Sequence, residues 1–168
     1  IDVVEFLLQQ EKIDVNKLNG YSKMTALVYS CDKNLYEIVN IILKHQKVDV
    51  NLADCDGKTA LHFAIELKNE KIVNLLLNEK LNININAIDK FRKASPLHYA
   101  CESCNLSIIQ MIFNFSENQE KLKSENNGEN FVDQVQINCK DKQNRTPLHV
   151  AVNSNFYDCV EILLNQSE

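Results

Sequence analysis

The chain has 168 residues, 45% of them apolar and 24% charged, with a formal net charge of -5. This length suits one domain with a buried core. The acidic balance speaks against bulk binding to nucleic acid or to an anionic membrane, since both favour basic surfaces.

No apolar run approaches the roughly 18 residues of a membrane-spanning helix, and residues 1–10 lack the basic flank and small-residue cleavage site of a secretory signal. The opening on Ile1 rather than Met reads as a missing natural N-terminus. Cysteines at 31, 55, 101, 104, 139 and 159 fall where small apolar residues would serve. They read as reduced, buried thiols rather than a disulfide framework, which implies a cytoplasmic or nuclear setting. Asn105-Leu106-Ser107 and Asn114-Phe115-Ser116 match the glycosylation sequon, as an Asn-rich chain does by chance.

Residues 1–16 read as the end of a unit already under way. Val3, Val4, Phe6, Leu7 and Leu8 line one helical face, and Ile13-Asp14-Val15-Asn16 then alternates as a short extended arm. The arm recurs as Val48-Asp49-Val50-Asn51, Asn84-Ile85-Asn86 and Gln136-Ile137-Asn138. Residues 17–53 form a first full unit, with Thr25 as helix N-cap, then Ala26, Leu27 and Tyr29 on one face. A second helix carries Leu35, Ile38, Val39, Ile41, Ile42 and Leu43 at spacings of three and four, and Asn34 between the helices tolerates the left-handed conformation.

Residues 54–88 repeat the pattern after the turn Asp54-Cys55-Asp56-Gly57-Lys58-Thr59. Asp54 is expected to accept turn amides and Gly57 to supply a positive φ. Residues 89–139 open on Asp89-Lys90-Phe91-Arg92-Lys93-Ala94-Ser95-Pro96, one residue longer in the turn, as is the stretch from Asn19 to Thr25. Pro96 suits a first helical turn. From 116 to 134 runs a polar insertion: residues 117–123 can extend the preceding helix, and Asn126-Asn127-Gly128 reads as a turn or disordered tip. A solvated excursion is expected there rather than a partner-binding arm. Residues 140–168 hold the last unit, with the turn Asp141-Lys142-Gln143-Asn144-Arg145-Thr146. Its second helix carries Cys159, Val160, Ile162, Leu163 and Leu164.

Each unit places the same six letters at its first helix. Thr146-Pro147-Leu148-His149-Val150-Ala151 nearly copies Ser95-Pro96-Leu97-His98-Tyr99-Ala100 and Thr59-Ala60-Leu61-His62-Phe63-Ala64; Thr25-Ala26-Leu27-Val28-Tyr29-Ser30 is the least typical copy. The starts at 25, 59, 95 and 146 lie 34, 36 and 51 residues apart, the insertion accounting for the last gap. T-P-L-H-x-A at a period of about 33 marks the ankyrin repeat. The chain resembles the ankyrin-repeat family over nearly all its length. A tetratricopeptide array has a similar period, but its W-x-x-L-G-x-x-Y pattern is absent and the chain has no Trp.

The resemblance implies an all-α solenoid: about four full repeats after a partial N-terminal one, each a helix-turn-helix pair with a β-turn finger. Both ends look cut from a longer array, because no polar-faced capping repeat is present. Lys68, Cys104 and Asn34 stand where the family has glycine between helices, and Lys93 and Asn144 where it has glycine in the finger. At Lys68 the substitution is expected to cost ~1 kcal/mol; nothing in the sequence accounts for Cys104. The resemblance also implies a concave groove that binds a partner protein. Its finger tips would be Tyr21, Ser22, Cys55, Asp56, Lys58, Lys90, Phe91, Arg92, Lys142, Gln143 and Arg145. Its first helices would add Asp32, Lys33, Glu66, Leu67, Glu102, Ser103, Asn153 and Ser154.

The only two arginines, Arg92 and Arg145, fall on fingers, together with Lys23, Lys58, Lys90, Lys93, Lys140 and Lys142. This predicts a basic finger edge centred on Phe91 and Arg92 and a partner with an acidic or phosphorylated segment. His62, His98 and His149 invite a metal site, but the family places this His against backbone, one per repeat. Cys101 and Cys104 at helical spacing offer half a zinc or redox site with no second matching pair. No phosphate loop, G-x-S-x-G or H-E-x-x-H occurs, so no enzyme and no cofactor are expected. The alternative function is a regulatory ankyrin domain of a larger enzyme or channel, binding a small ligand, nucleic acid or another domain of its own chain.

Overall fold

The computed structural model describes residues 2–78, 81–125 and 134–166. Among them the regular elements are helices: α1 (Asp2–Leu8), α2 (Ala26–Asp32), α3 (Tyr36–Ile42), α4 (Ala60–Glu66) and α5 (Glu70–Leu76), then α6 (Pro96–Ser103), α7 (Leu106–Glu125), α8 (Pro147–Asn153) and α9 (Tyr157–Asn165). They pair as hairpins and stack in two layers. The first helices α2, α4, α6 and α8 follow one another in one layer; α1, α3, α5, α7 and α9 do so in the other.

Each inner helix is short because both of its ends are specified. Thr25, Thr59, Ser95 and Thr146 occupy the N-caps in extended geometry. In the first, the Thr25 hydroxyl accepts the Val28 amide at 3.2 Å. In the later three an imidazole reaches back: Nδ1 of His62, His98 and His149 accepts the cap amides of Thr59, Ser95 and Thr146 at 3.1, 3.2 and 3.3 Å. This satisfies a backbone donor that a helix N-terminus otherwise leaves open. The other ends close on left-handed residues, Asn34, Lys68, Cys104 and Asn155, with φ of 58°, 54°, 47° and 58°. That conformation turns the chain into the outer helix.

The core lies between the layers. Leu27, Leu61 and Leu97 are buried, with Ile42, Ile72, Leu76, Ile108, Ile112 and Phe113 facing them from the outer helices. Each such side chain contributes about 1.5–3 kcal/mol by leaving water. Leu148, the matching residue of α8, is only half-buried. Val152 is 59% exposed, whereas Cys31, Ile65 and Cys101 at its register position are fully buried. Among the described residues no further helix covers this last inner helix.

A ladder of asparagines joins the extended arms. The Asn16 carboxamide donates to Lys47 O at 2.8 Å and accepts from Asp49 N at 2.9 Å. Asn51 does the same with Asn82 O and Asn84 N at 3.0 and 2.7 Å, and Asn86 with Gln134 O and Gln136 N at 2.7 and 2.8 Å. Between the clasps, Val15, Val50, Ile83 and Ile85 point into the core.

The start of the insertion departs from the expected solvated excursion, and its helical part is the extension the sequence allowed. Residues 116–125 continue α7, which runs for 20 residues against 7 for α3 and α5. Ser116 and Gln119 are buried, and the Ser116 hydroxyl accepts the Val135 amide at 3.1 Å. The start of the insertion therefore serves the scaffold. The turn expected at Asn126-Asn127-Gly128 lies outside the described residues.

Burial lowers His62 from its ordinary 6.5 to about 4. The folded chain thus holds this imidazole neutral while the unfolded chain protonates it below pH 6.5. A depressed folded value gives stability that is complete above the unfolded value and is lost as pH falls toward the folded one. Thermal melts should therefore show about 2 kcal/mol less stability at pH 5 than at pH 7. His62→Asn should flatten that slope between the two values, whatever it does to stability itself.

Candidate interaction surface

Every finger is built around the carboxyl or carboxamide oxygen of its first residue. Asp54 Oδ1 accepts the amides of Asp56 and Lys58 at 3.0 and 2.8 Å, and Asp141 Oδ1 those of Gln143 and Arg145, both at 2.9 Å. In the longer fingers, Asp89 takes Arg92 N and Ala94 N on its two oxygens, and Asn19 takes the Met24 amide. The extra residue widens the turn and leaves its closure intact. Asn19, Asp54, Asp89 and Asp141 each donate their amide to the residue just before the helix cap, Met24, Lys58, Ala94 and Arg145, at 2.9–3.1 Å. One residue before that closing carbonyl, the backbone turns left-handed at Lys23, Gly57, Lys93 and Asn144.

Successive fingers are joined backbone to backbone. Cys55 N donates to Ser22 O at 2.9 Å, Lys90 N to Asp56 O at 2.7 Å and Lys142 N to Arg92 O at 2.7 Å. One imidazole adds a tie from beneath. With Nδ1 of His98 accepting from Ser95, the proton sits on Nε2, which donates to Arg145 O of the next finger at 3.0 Å. Burial lowers His98 as well and keeps it in that neutral form. His62 has Ala94 O beside it without a well-formed bond to Nε2.

The expected surface residues divide into two sets. Tyr21, Lys33, Cys55, Asp56, Glu66, Leu67, Lys90, Phe91, Glu102, Lys142, Gln143 and Asn153 are exposed. Ser22, Asp32, Lys58, Arg92, Ser103, Arg145 and Ser154 are half-buried. Tyr21 and Phe91 stand out at 98% and 75% exposure.

The arginines do not form a free basic edge. Arg92 pairs with Glu102 at 2.8 Å and lies over the Tyr99 ring, and Arg145 pairs with Asp141 at 2.8 Å. Lys58 pairs with Glu66 at 2.7 Å and sits over the Phe63 and Tyr99 rings, while Lys33 holds Asp32. The Lys58 and Arg92 pairs bind a finger to the inner helix of its own repeat, and each is worth about 0–1 kcal/mol at such exposure. Exposed cations remain at Lys23, Lys90, Lys93, Lys140 and Lys142, with Lys90 Nζ donating to Cys55 O at 3.2 Å and Lys142 Nζ 5.5 Å from the centre of the Phe91 ring.

The aromatic floor beneath these pairs went unread in the sequence. Phe63 and Tyr99 are buried, and Tyr99 meets His62 edge-on at 5.3 Å and donates its hydroxyl to Asp89 at 3.3 Å. Both occupy the variable fifth letter of the repeated motif, as does Tyr29. That shared letter was the available signal.

The three imidazoles do not converge on a metal; each faces its own helix cap. Among the described residues, three or more ligand-type atoms gather within 4.8 Å of one another only at Asp54, Cys55 and Asp56, where Asp54 already serves two amides. A 520 Å³ cavity under α7, lined by Phe113, Ser116, Val135, Ile137 and Gln166 among others, includes none of the expected surface residues. No described helix is long and apolar enough to cross a membrane.

Comparison with known proteins agrees with this geometry. The family described as ankyrin repeats (3 copies) matches residues 1–89 and again 84–168. Over 163 residues the chain is 29% identical to an ankyrin repeat protein of Fowlpox virus, covering 90% of this chain and 24% of that one. It is 25% identical over 166 residues to the human transient receptor potential cation channel subfamily A member 1, covering 98% of this chain and 13% of the channel. It is 32% identical over 160 residues to a protein named as a serine/threonine-protein kinase in Dictyostelium discoideum, covering 93% and 16%. The chain thus spans less than half the length of each of these relatives.

Gly57 is the most constrained finger position. Its φ is +79°, and a Cβ there would lie 2.8 Å from Lys90 N, the amide that joins the next finger. Gly57→Ala should cost about 2 kcal/mol, read by chemical denaturation. Amide exchange at Lys90 should accelerate beyond the change in overall stability.

Proposed function

The chain belongs to the ankyrin repeat family, and on that footing we propose that it is a non-catalytic protein-interaction module. It holds a partner protein against its finger tips and inner helices. The observation that carries this reading is the joined row of fingers, which fixes the backbone at Ser22, Asp56 and Arg92 and holds Tyr21 and Phe91 out to solvent. Aromatic side chains presented on a rigid support are the type that most often anchors an interface. A scaffold set before binding also spares the ordering cost that weakens flexible loops.

The partner segment in this reading is acidic or phosphorylated. Lys142 lies over the Phe91 ring, and it supplies the complementary charge together with the exposed Lys90 and Lys93 of the Phe91 finger. Arg92 and Arg145 take a supporting role, because Glu102 and Asp141 already occupy them. The setting is cytoplasmic or nuclear, where the six cysteines rest as free thiols.

A second reading is favoured by the lengths of the relatives. They include a cation channel and a protein named as a kinase, each several times longer than this chain. Within a longer polypeptide, the same surface would hold another domain of its own chain.

An array of acidic, phosphorylated, neutral and basic peptides, titrated with the wild type and with Phe91→Ala/Lys142→Ala, tests the finger edge and the charge of the segment it holds. The double variant should fold normally and bind the selected peptides about 30-fold more weakly, the loss expected of an anchor worth ~2 kcal/mol. Equal affinity in both proteins would move the site off the fingers. Retention of neutral or basic peptides alone would remove the acidic partner.

A further inference from the structure

Four of the six cysteines come together where the α6–α7 hairpin meets the α8–α9 hairpin: Cys101 lies within electrostatic reach of Cys104, Cys139 and Cys159. Within this group the Sγ atoms of Cys104 and Cys159, 55 residues apart in sequence, approach to 3.1 Å. That is closer than two unbonded sulfurs rest in ordinary van der Waals contact. The spacing of Cys101 and Cys104 suggests a pair on one helix face, but α6 ends at Ser103 and the Cys104 thiol meets the next repeat instead.

The backbone supplies a separate observation. Cys104 has φ 47° and ψ 43°, the left-handed conformation that Asn34, Lys68 and Asn155 adopt at the equivalent turn. Asparagine suits this region because its short side chain bonds locally, and glycine because it lacks a Cβ. Cysteine has neither advantage. What it places there is a thiol against a thiol.

We propose that Cys104 and Cys159 form a reversible disulfide when the chain meets a hydroperoxide. Cys104 is partly exposed and Cys159 is fully buried, so the oxidant reaches Cys104 first. The Cys104 sulfur attacks one peroxide oxygen and the O–O bond breaks. The displaced hydroxide takes the thiol proton and leaves as water, and a sulfenic acid remains on Cys104. The Cys159 sulfur then attacks that sulfur: the S–S bond forms, the S–O bond breaks, and the hydroxide departs with the Cys159 proton as a second water. Two thiols are oxidised by two electrons, and one hydrogen peroxide is reduced to two waters. Burial, with the Cys104 thiol beside it, pushes Cys159 up to about 12. Its thiol therefore stays protonated and is the poorer first target for the oxidant. The bond ties the turn after α6 to α9 and fastens the last hairpin to its neighbour.

The test uses the purified 168-residue chain, treated with hydrogen peroxide, denatured, blocked with N-ethylmaleimide and read by intact mass and peptide mapping. The proposal expects the loss of two alkylatable thiols and a cross-linked peptide pair containing Cys104 and Cys159, both reversed by dithiothreitol. The melting temperature should rise by about 5–10 °C. Cys104→Asn suits the left-handed turn and should fold, keep its remaining thiols and show no rise. Cys159→Ile, which restores the residue type of Ile72 and Ile108 at that position, should leave a Cys104 sulfenic acid that dimedone captures. A link from Cys101 or Cys139 in place of this pair would overturn the proposal. So would over-oxidation of Cys104 in the wild type without any cross-link.

Discussion

An extended arm that pairs with no strand must still satisfy its amides and carbonyls. Here that requirement falls on one residue per repeat. Asn16, Asn51 and Asn86 each clasp a carbonyl and an amide of the following arm, and every finger and helix hairpin is placed relative to the arms they align. The amide that Asn16 and Asn51 accept lies 33 residues on, and the one Asn86 accepts lies 50 on. The extra length leaves the clasp unchanged, and its described part continues α7 to Glu125. The stack can lengthen one outer helix without losing register, since the contacts that set register are made inside it.

Much of this architecture is legible in the sequence because it rests on demands that single residues meet. Caps at Thr25, Thr59, Ser95 and Thr146, and left-handed turns at Asn34 and Asn144, follow from residue type and position, and the turn at Lys68 from its place in the repeat. The charge pattern of the candidate surface was not legible in the same way. Arginines on loops read as free cations, whereas Arg92 folds back onto Glu102 and Tyr99, a choice set by rotamers on two different elements. The clasping asparagines were visible as recurring letters, but their role needs the neighbouring arm, which lies beyond any local window. Cys104 shows the same limit: spacing relates it to Cys101, while the turn at the end of α6 directs its thiol to Cys159.

The surface and the scaffold share components. The Asp residues that shape the fingers also fix which amides remain to join one finger to the next, and Arg145 is bound by both its backbone and its side chain to Asp141. The finger edge therefore inherits the order of the core beneath it. Only two of the three glycines lie in the fingers, at Gly20 and Gly57, and Gly57 alone has a positive φ. Lys23, Lys93 and Asn144 fill the matching places. A lysine at such a turn is strained, yet it carries a charge to the edge where a glycine would carry nothing.

Because the fingers, His98 and the asparagines bond along the stacking direction, the molecule is anisotropic as a material. A load along the stack passes through one interface after another in series, so the weakest junction sets the limit and the hairpins would peel away singly. A load across the stack is shared by neighbouring hairpins in parallel, each backed by its own helix packing.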